Sequence, residues 1–284
     1  MSGPQKIHPN DLKSSHATAL MAGKKGLIVG VANDHSIAWG IASVLSRHGA
    51  ELAFTYQGQA LEKRVRPLAE SLGSRVVLPC DVEDEPSIDA VFAALAREWG
   101  DLDFLVHAVA YSDKDELKGH YIGTTRANFA RTLDVSCYSF TALAQRAAPL
   151  MPKGGSLLSL TFSGAERVVP NYNVMGVAKA ALEASVRYLA VDLGPRKIRV
   201  NAISAGPMRT LAGSAIGGAK HILKWSQEHA PLQHNPSLDD IGGAALYLLS
   251  DLSRSVTGEI HHVDSGYNVI GIPRNPNPNN ANNG

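Results

Sequence analysis

Gly26-Leu27-Ile28-Val29-Gly30-Val31-Ala32-Asn33-Asp34-His35-Ser36-Ile37-Ala38-Trp39-Gly40 joins a short apolar run to a helical pattern through a turn of small residues. An unbroken apolar run suits a strand covered on both faces. Gly30 and Ala32 leave room for close backbone approach, and a helix starting after Ser36 offers amide donors and the positive end of its dipole to a pyrophosphate. The turn departs from the G-x-G-x-x-G pattern, and strand-to-helix turns also use small residues for purely steric reasons. Ser36 has two available uses, capping the helix or donating to a phosphate.

Outward from this unit the same alternation repeats. Apolar, β-rich runs at residues 26–31, 51–56, 75–80, 102–109, 156–160, 198–203 and 259–263 predict seven strands. Helical patterns at 37–48, 61–72, 87–99, 126–150, 172–193 and 238–252 lie between them. Strands separated by helical crossovers predict an α/β chain, a single-domain Rossmann-like doubly wound fold with a seven-stranded parallel sheet flanked by helices. The domain is expected over 23–272, after an N-terminal extension at 1–22 and before a flexible proline- and asparagine-rich tail at 273–284. Between the sixth strand and the last helix, Gly206-Pro207 and three further glycines interrupt the pattern, so 207–235 is expected to be either a substrate-binding lid or a plain surface loop.

The chain has 284 residues, 44% hydrophobic content and a formal net charge of +1, so it can bury a sizeable core. That charge balance gives no reason to expect nucleic acid or an anionic membrane as partner. Two cysteines far apart in sequence, Cys80 and Cys137, argue for buried thiols and a reducing compartment. Without a secretory signal pattern or a run of spanning length, the expected location is cytoplasmic.

Tyr172-Asn173-Val174-Met175-Gly176-Val177-Ala178-Lys179 sets a phenol and an amine seven positions apart at the head of an apolar-periodic segment. Seven helical steps return to within about 20° of the starting face over about 10.5 Å, so one ligand can touch both groups. At the end of the second strand, where dinucleotide folds present an acid to a ribose or an arginine to a 2′-phosphate, stands Gln57. A neutral amide bonds ribose hydroxyls but gives a phosphate no countercharge, which favours NADH over NADPH. Asp81, after the third strand, is placed to accept from an adenine amino group or to cap the next helix. No pattern of metal ligands stands out.

This combination resembles the enoyl-acyl-carrier-protein reductases, a divergent branch of the short-chain dehydrogenase/reductase superfamily. The resemblance is carried by Gly30-Val31-Ala32 with Ser36 to Gly40, Phe54-Thr55-Tyr56-Gln57, Gly164-Ala165-Glu166-Arg167, the segment 170–179, Arg199 to Pro207, and Arg209-Thr210-Leu211-Ala212. Most members of the superfamily place the lysine four positions after the tyrosine; seven is the enoyl reductase spacing. The resemblance implies reduction of the trans-2 double bond of enoyl thioesters on acyl carrier protein by NADH, the last reductive step of a fatty acid elongation cycle. It implies that Tyr172 is the catalytic phenol and that Lys179 holds the nicotinamide ribose. Further cofactor contacts would be Gly30, Ser36, Ile37, Gln57, Asp81, Val82, Val109, Met208, Arg209, Thr210, Leu211 and Ala212, with Tyr111, Ser112 and Met175 on the acyl pocket. A homotetramer is implied as well.

Two positions depart from that family. Phe162 stands where many relatives have a second tyrosine, and Ala110 where a glycine is common beside the nicotinamide. Phe162 has no proton to donate, and the Ala110 methyl narrows the pocket. His107, in a strand with apolar neighbours, reads as structural. On the residues alone, carbonyl reduction and silent nucleotide binding stay open as alternatives; the spacing opposes the first and retention of Tyr172 and Lys179 the second.

Overall fold

Leu27 pairs in parallel register with Ala53 on one side and with Leu105 on the other, so the first strand lies in the middle of a sheet. The computed structural model describes residues 19–211 and 217–272. The strands are β1 (Lys25–Val29), β2 (Glu51–Tyr56), β3 (Val76–Pro79), β4 (Phe104–His107), β5 (Gly155–Thr161), β6 (Ile198–Ala205) and β7 (Ile260–Val263). All pair in parallel, in the order β3-β2-β1-β4-β5-β6-β7. The helices are α1 (Ile37–Arg47), α2 (Gly58–Ser71), α3 (Glu85–Trp99), α4 (Arg126–Leu133), α5 (Ser139–Ala147), α6 (Val174–Leu193), α7 (Ala219–His229) and α8 (Leu238–Leu249).

Strand alternation divides the core into two layers. Ile28, Phe54, Val106, Leu158 and Ile203 meet Ile41, Leu45, Ile241 and Leu248 from α1 and α8. Leu27, Ala53, Leu105, Leu157 and Val200 meet Phe92, Leu143, Leu182 and Val186 on the opposite face. Each such side chain withdrawn from water contributes about 1.5–3 kcal/mol, and burial on both faces explains why the strands read as unbroken apolar runs. At the start of α8 the Asp240 amide donates to the Ser237 hydroxyl and the Ser237 amide to the Asp240 carboxylate, a reciprocal cap that sets where this helix begins.

Four expectations change in detail. The pattern at 126–150 is not one regular helix: a π-helical turn, Asp134–Tyr138, separates α4 from α5. The interval 207–235 contains α7, whose apolar positions are too few and too widely interrupted by glycines upstream to stand out in the sequence. Met21, expected in the extension, is fully buried against the α1 layer and its amide donates to the His48 carbonyl. Finally, α6 begins at Val174, two residues after Tyr172. The expected tail at 273–284 and residue Ala212 lie outside the described residues.

Candidate active site

The strand order reverses between β1 and β4, and a crevice at the carboxyl edge of a parallel sheet opens at such a point. Here it holds a cavity of about 820 Å³, bounded by the ends of β1, β2, β4, β5 and β6 and by α7. Gly30 makes the floor possible. Its φ is +111°, and an added Cβ would lie 2.3 Å from the Ala108 carbonyl oxygen. The turn beyond it is organised by Ser36, whose hydroxyl accepts from the Ala32 and Asn33 amides at 3.0 and 3.1 Å. Ser36 occupies the cap position of α1 without a side-chain cap bond, so its hydroxyl shapes the loop rather than the helix end.

At the opposite end of the cavity, three consecutive residues of the β5 terminus hold three polar or aromatic side chains. The ladder from β4 to β5 stops at His107 and Ser159, and the next carbonyl, Leu160, accepts a bond of 2.8 Å from Lys179 Nζ. Thr161 donates its hydroxyl to the buried Glu183 carboxylate at 2.7 Å. The Phe162 ring meets the Tyr172 ring edge to face, with centroids 5.2 Å apart. Lys179 and Glu183 are one turn apart on α6, so the strand terminus and the helix lock each other. Burial lowers the Lys179 ammonium to about 8, opposed by Cys137 and Glu183. Burial also pushes the Tyr172 phenol above its ordinary value, and Glu183 adds to that shift; the phenol is a proton donor at neutral pH.

Tyr172 is not presented by helical periodicity. It sits in a turn between Asn171 and Asn173, whose φ angles are +61° and +41°. Left-handed backbone is uncommon outside glycine, and asparagine tolerates it best among the other residues. Both amides are tied down. Asn171 Nδ2 donates to the Gly217 carbonyl at 2.9 Å, and Asn173 Nδ2 lies 3.2 Å from the Leu117 carbonyl. The strained turn is thereby anchored to the approach to α7 and to the loop after β4. Gly164 supplies the space for the ring, since a Cβ there would come within 2.3 Å of Tyr172 Cδ1. Gly164→Ala is expected to rotate the phenol out of place and lower about 100-fold the rate of the reduction that the resemblance implies, while affinity for the implied cofactor stays unchanged. Steady-state rates beside a cofactor titration check this, and equal rates for variant and parent would refute it.

His107 is fully buried, with Nε2 2.8 Å from the Ser139 hydroxyl and Nδ1 2.9 Å from the Ser159 hydroxyl. Because Ser139 donates its own proton to the Val135 carbonyl, it accepts from His107 Nε2, leaving Nδ1 to accept from Ser159. Burial first, and Lys179 second, lower the imidazole to about 3, so it is a neutral spacer between β4, β5 and α5.

Of the residues expected in the site, Gly30, Ala32, Ser36, Ile37, Gln57, Val82, Val109, Tyr111, Ser112, Tyr172, Met175, Lys179, Met208, Thr210 and Leu211 line the one cavity, as do Ala110 and Phe162. Two do not. Asp81 accepts the Glu83 amide at 3.0 Å in a local turn and does not cap α3, whose cap position is Asp84, and Arg209 lies off the cavity wall. The wall also includes Leu160, Thr161, Leu117, Ile222 and Leu223, which no motif marked. For Ile222 and Leu223 the three-to-four spacing with Ala219 was the available signal.

Comparison with known proteins identifies the family. Residues 30–268 match the family model described as Enoyl-(Acyl carrier protein) reductase. An NADH enoyl-[acyl-carrier-protein] reductase of Rhizobium meliloti, strain 1021, is 65% identical over 254 residues, covering 89% of this chain and 95% of the relative. The crystal structure of the Anaplasma phagocytophilum reductase in complex with NAD superposes with a TM-score of 0.88 at 61% identity, over 90% of this chain and 98% of that one. The Bacillus cereus reductase, solved with NADP+ and an indole naphthyridinone, gives 0.87 at 49% identity over 89% and 99% of the two chains. A family model covering most of the chain and relatives at this identity over nearly their full length leave one assignment: the chain belongs to the enoyl-acyl-carrier-protein reductase family.

Proposed function

We propose that this cavity binds NADH and the enoyl thioester of acyl carrier protein side by side, with Tyr172 as the catalytic phenol and Lys179 as the ligand of the nicotinamide ribose. The observation that carries the reading is the placement of Tyr172 and Lys179 in the same cavity as the Gly30 turn and Gln57. The residues suit the cofactor. A turn of small residues leading into the N-terminus of α1, a neutral Gln57 and a volume of about 820 Å³ match an extended dinucleotide with a substrate beside it.

Bound NADH supplies a hydride for the β-carbon of the double bond. The chain's own work lies at the thioester oxygen, where negative charge develops. Tyr172, buried and thereby held protonated, donates a hydrogen bond to that oxygen. Lys179 keeps its ammonium at the end of β5 through the Leu160 carbonyl and presents its other protons to the ribose hydroxyls. Phe162 contributes packing on Tyr172 and no proton, so a single phenol serves this end of the site.

The Lys179 cation is present below about pH 8 and lost above it. NADH affinity of the free enzyme is therefore expected to weaken as pH rises through about 8, and Lys179→Arg, cationic throughout, to abolish that step. A fluorescence titration across this range checks it; a flat wild-type profile excludes the role. Linkage runs the other way for the fold: between about 8 and the ordinary lysine value the unfolded chain holds a proton the folded chain has shed, so this group adds stability as pH rises.

Assembly as a homotetramer is supported by apolar residues left on the surface of α6, Tyr188 and Val191, and on the α4 region, Phe129 and Tyr138. A cytoplasmic location is supported by two free cysteines. Among the described residues no helix is long and apolar enough to cross a membrane. The deciding assay mixes the protein with NADH or NADPH and crotonyl or longer trans-2-enoyl thioesters, beside a 3-oxoacyl control. Oxidation of NADH by the enoyl substrates is the expected result; activity confined to the 3-oxoacyl control would overturn the reading.

A further inference from the structure

We infer that Glu83, Arg131 and Tyr111 form a clamp that fixes the Tyr111 ring at the rim of the cavity and thereby sets the affinity for the acyl thioester. The inference rests on the reading above that Tyr111 borders the acyl end. Tyr111 is 41% exposed and follows β4 on a segment that has neither strand nor helix to hold it. Its backbone is gripped by one residue, Ser136, whose hydroxyl accepts from the Tyr111 amide and donates to the Tyr111 carbonyl, both at 3.0 Å. Ser136 is fully buried within the π-helical turn between α4 and α5, an irregularity of the kind that re-aims side chains at functional sites.

The side chain is held separately. The Arg131 guanidinium carbon lies 4.3 Å from the Tyr111 ring centroid, and Nη1 donates to the phenol oxygen at 3.3 Å. Arg131 in turn forks onto the Glu83 carboxylate through Nε at 2.8 Å and Nη2 at 2.9 Å. An isolated pair at this exposure contributes little, but a planar two-point fork leaves arginine few orientations, and here the same plane lies over an aromatic face. Lysine could not do both. Glu83 follows Val82, which lines the cavity, so the clamp ties its rim on one side to its wall on the other. Without it the ring has room to swing across the acyl entrance or away from it.

The test uses the full chain, with Arg131→Met to remove charge and fork while keeping the stem, Arg131→Lys to keep the charge alone, Tyr111→Leu, and the Tyr111→Leu/Arg131→Met double variant. Arg131→Met is expected to raise the enoyl thioester KM about five-fold, with kcat and the NADH KM within about two-fold of wild type. Arg131→Lys recovers part of the loss. Tyr111→Leu gives a similar rise, and adding Arg131→Met to it changes nothing further, since the clamp then has nothing to hold. An unchanged thioester KM in Arg131→Met, additive effects in the double variant, or a shift confined to the NADH KM would each overturn the clamp. A second readout is independent of activity: in protein labelled with 3-fluorotyrosine, the fluorine resonance assigned through Tyr111→Phe moves when Arg131 becomes methionine. An unmoved resonance overturns the clamp even where kinetics agree. Wild-type protein that fails to reduce enoyl thioesters overturns the functional reading instead, and the resonance then judges the clamp alone.

Discussion

Tyr172→Phe is expected to lower turnover on enoyl thioesters by two to three orders of magnitude while leaving NADH affinity and thermal stability near wild type. The substitution removes one oxygen and keeps the ring, so the edge-to-face contact with Phe162 and the fit over Gly164 remain. What goes is a buried donor that we propose is aimed at developing charge, an interaction that supplies roughly 3–4 kcal/mol of barrier lowering. A fully protonated phenol strengthens the expectation, because burial keeps the proton in place through the neutral range. The ring packed on Tyr172 is that of Phe162, which has no hydroxyl to take over. Single-turnover rates with saturating NADH measure the effect directly; wild-type rates in the variant would remove Tyr172 from the chemistry.

Lys179→Met is the second large effect, and it falls on cofactor binding. Methionine fills the volume of the lysine stem, so the buried position stays packed, but the bond to the Leu160 carbonyl and the charge that we propose meets the ribose are lost. Hydrogen bonds to a charged donor contribute about 1.5–3 kcal/mol each, which predicts a loss of ten- to a hundred-fold in NADH affinity. Lys179→Arg keeps the charge and should lose less, although its planar fork cannot reproduce the compact ammonium between the Leu160 carbonyl and a ribose. Equilibrium titration of NADH fluorescence separates the two variants. Equal affinities for Met and Arg would mean that charge is not what Lys179 contributes.

Much of this molecule was legible from residues 26–40 and from the alternation that follows them. Parallel strands buried on both faces must be apolar throughout, and their helical crossovers must be amphipathic, so β1, β2 and the long helices announce themselves. α7 did not, because glycines precede it and only one narrow face is apolar. The π turn was invisible for a related reason: one additional residue per turn leaves the local apolar pattern intact and shifts only the direction of what comes after it.

By itself the sequence determined the alternation of strands and helices, the phenol and the amine, and the absence of a charged partner for a 2′-phosphate at Gln57, since each depends on which side chains exist and on local periodicity. The tertiary structure alone decided how those groups are aimed. Tyr172 points into the cavity because two left-handed asparagines are tied to the Leu117 and Gly217 carbonyls, and Lys179 is held by a carbonyl that β4 ends too soon to claim. Backbone carbonyls are the same in every residue, so no reading of side chains can show which one a distant lysine will find.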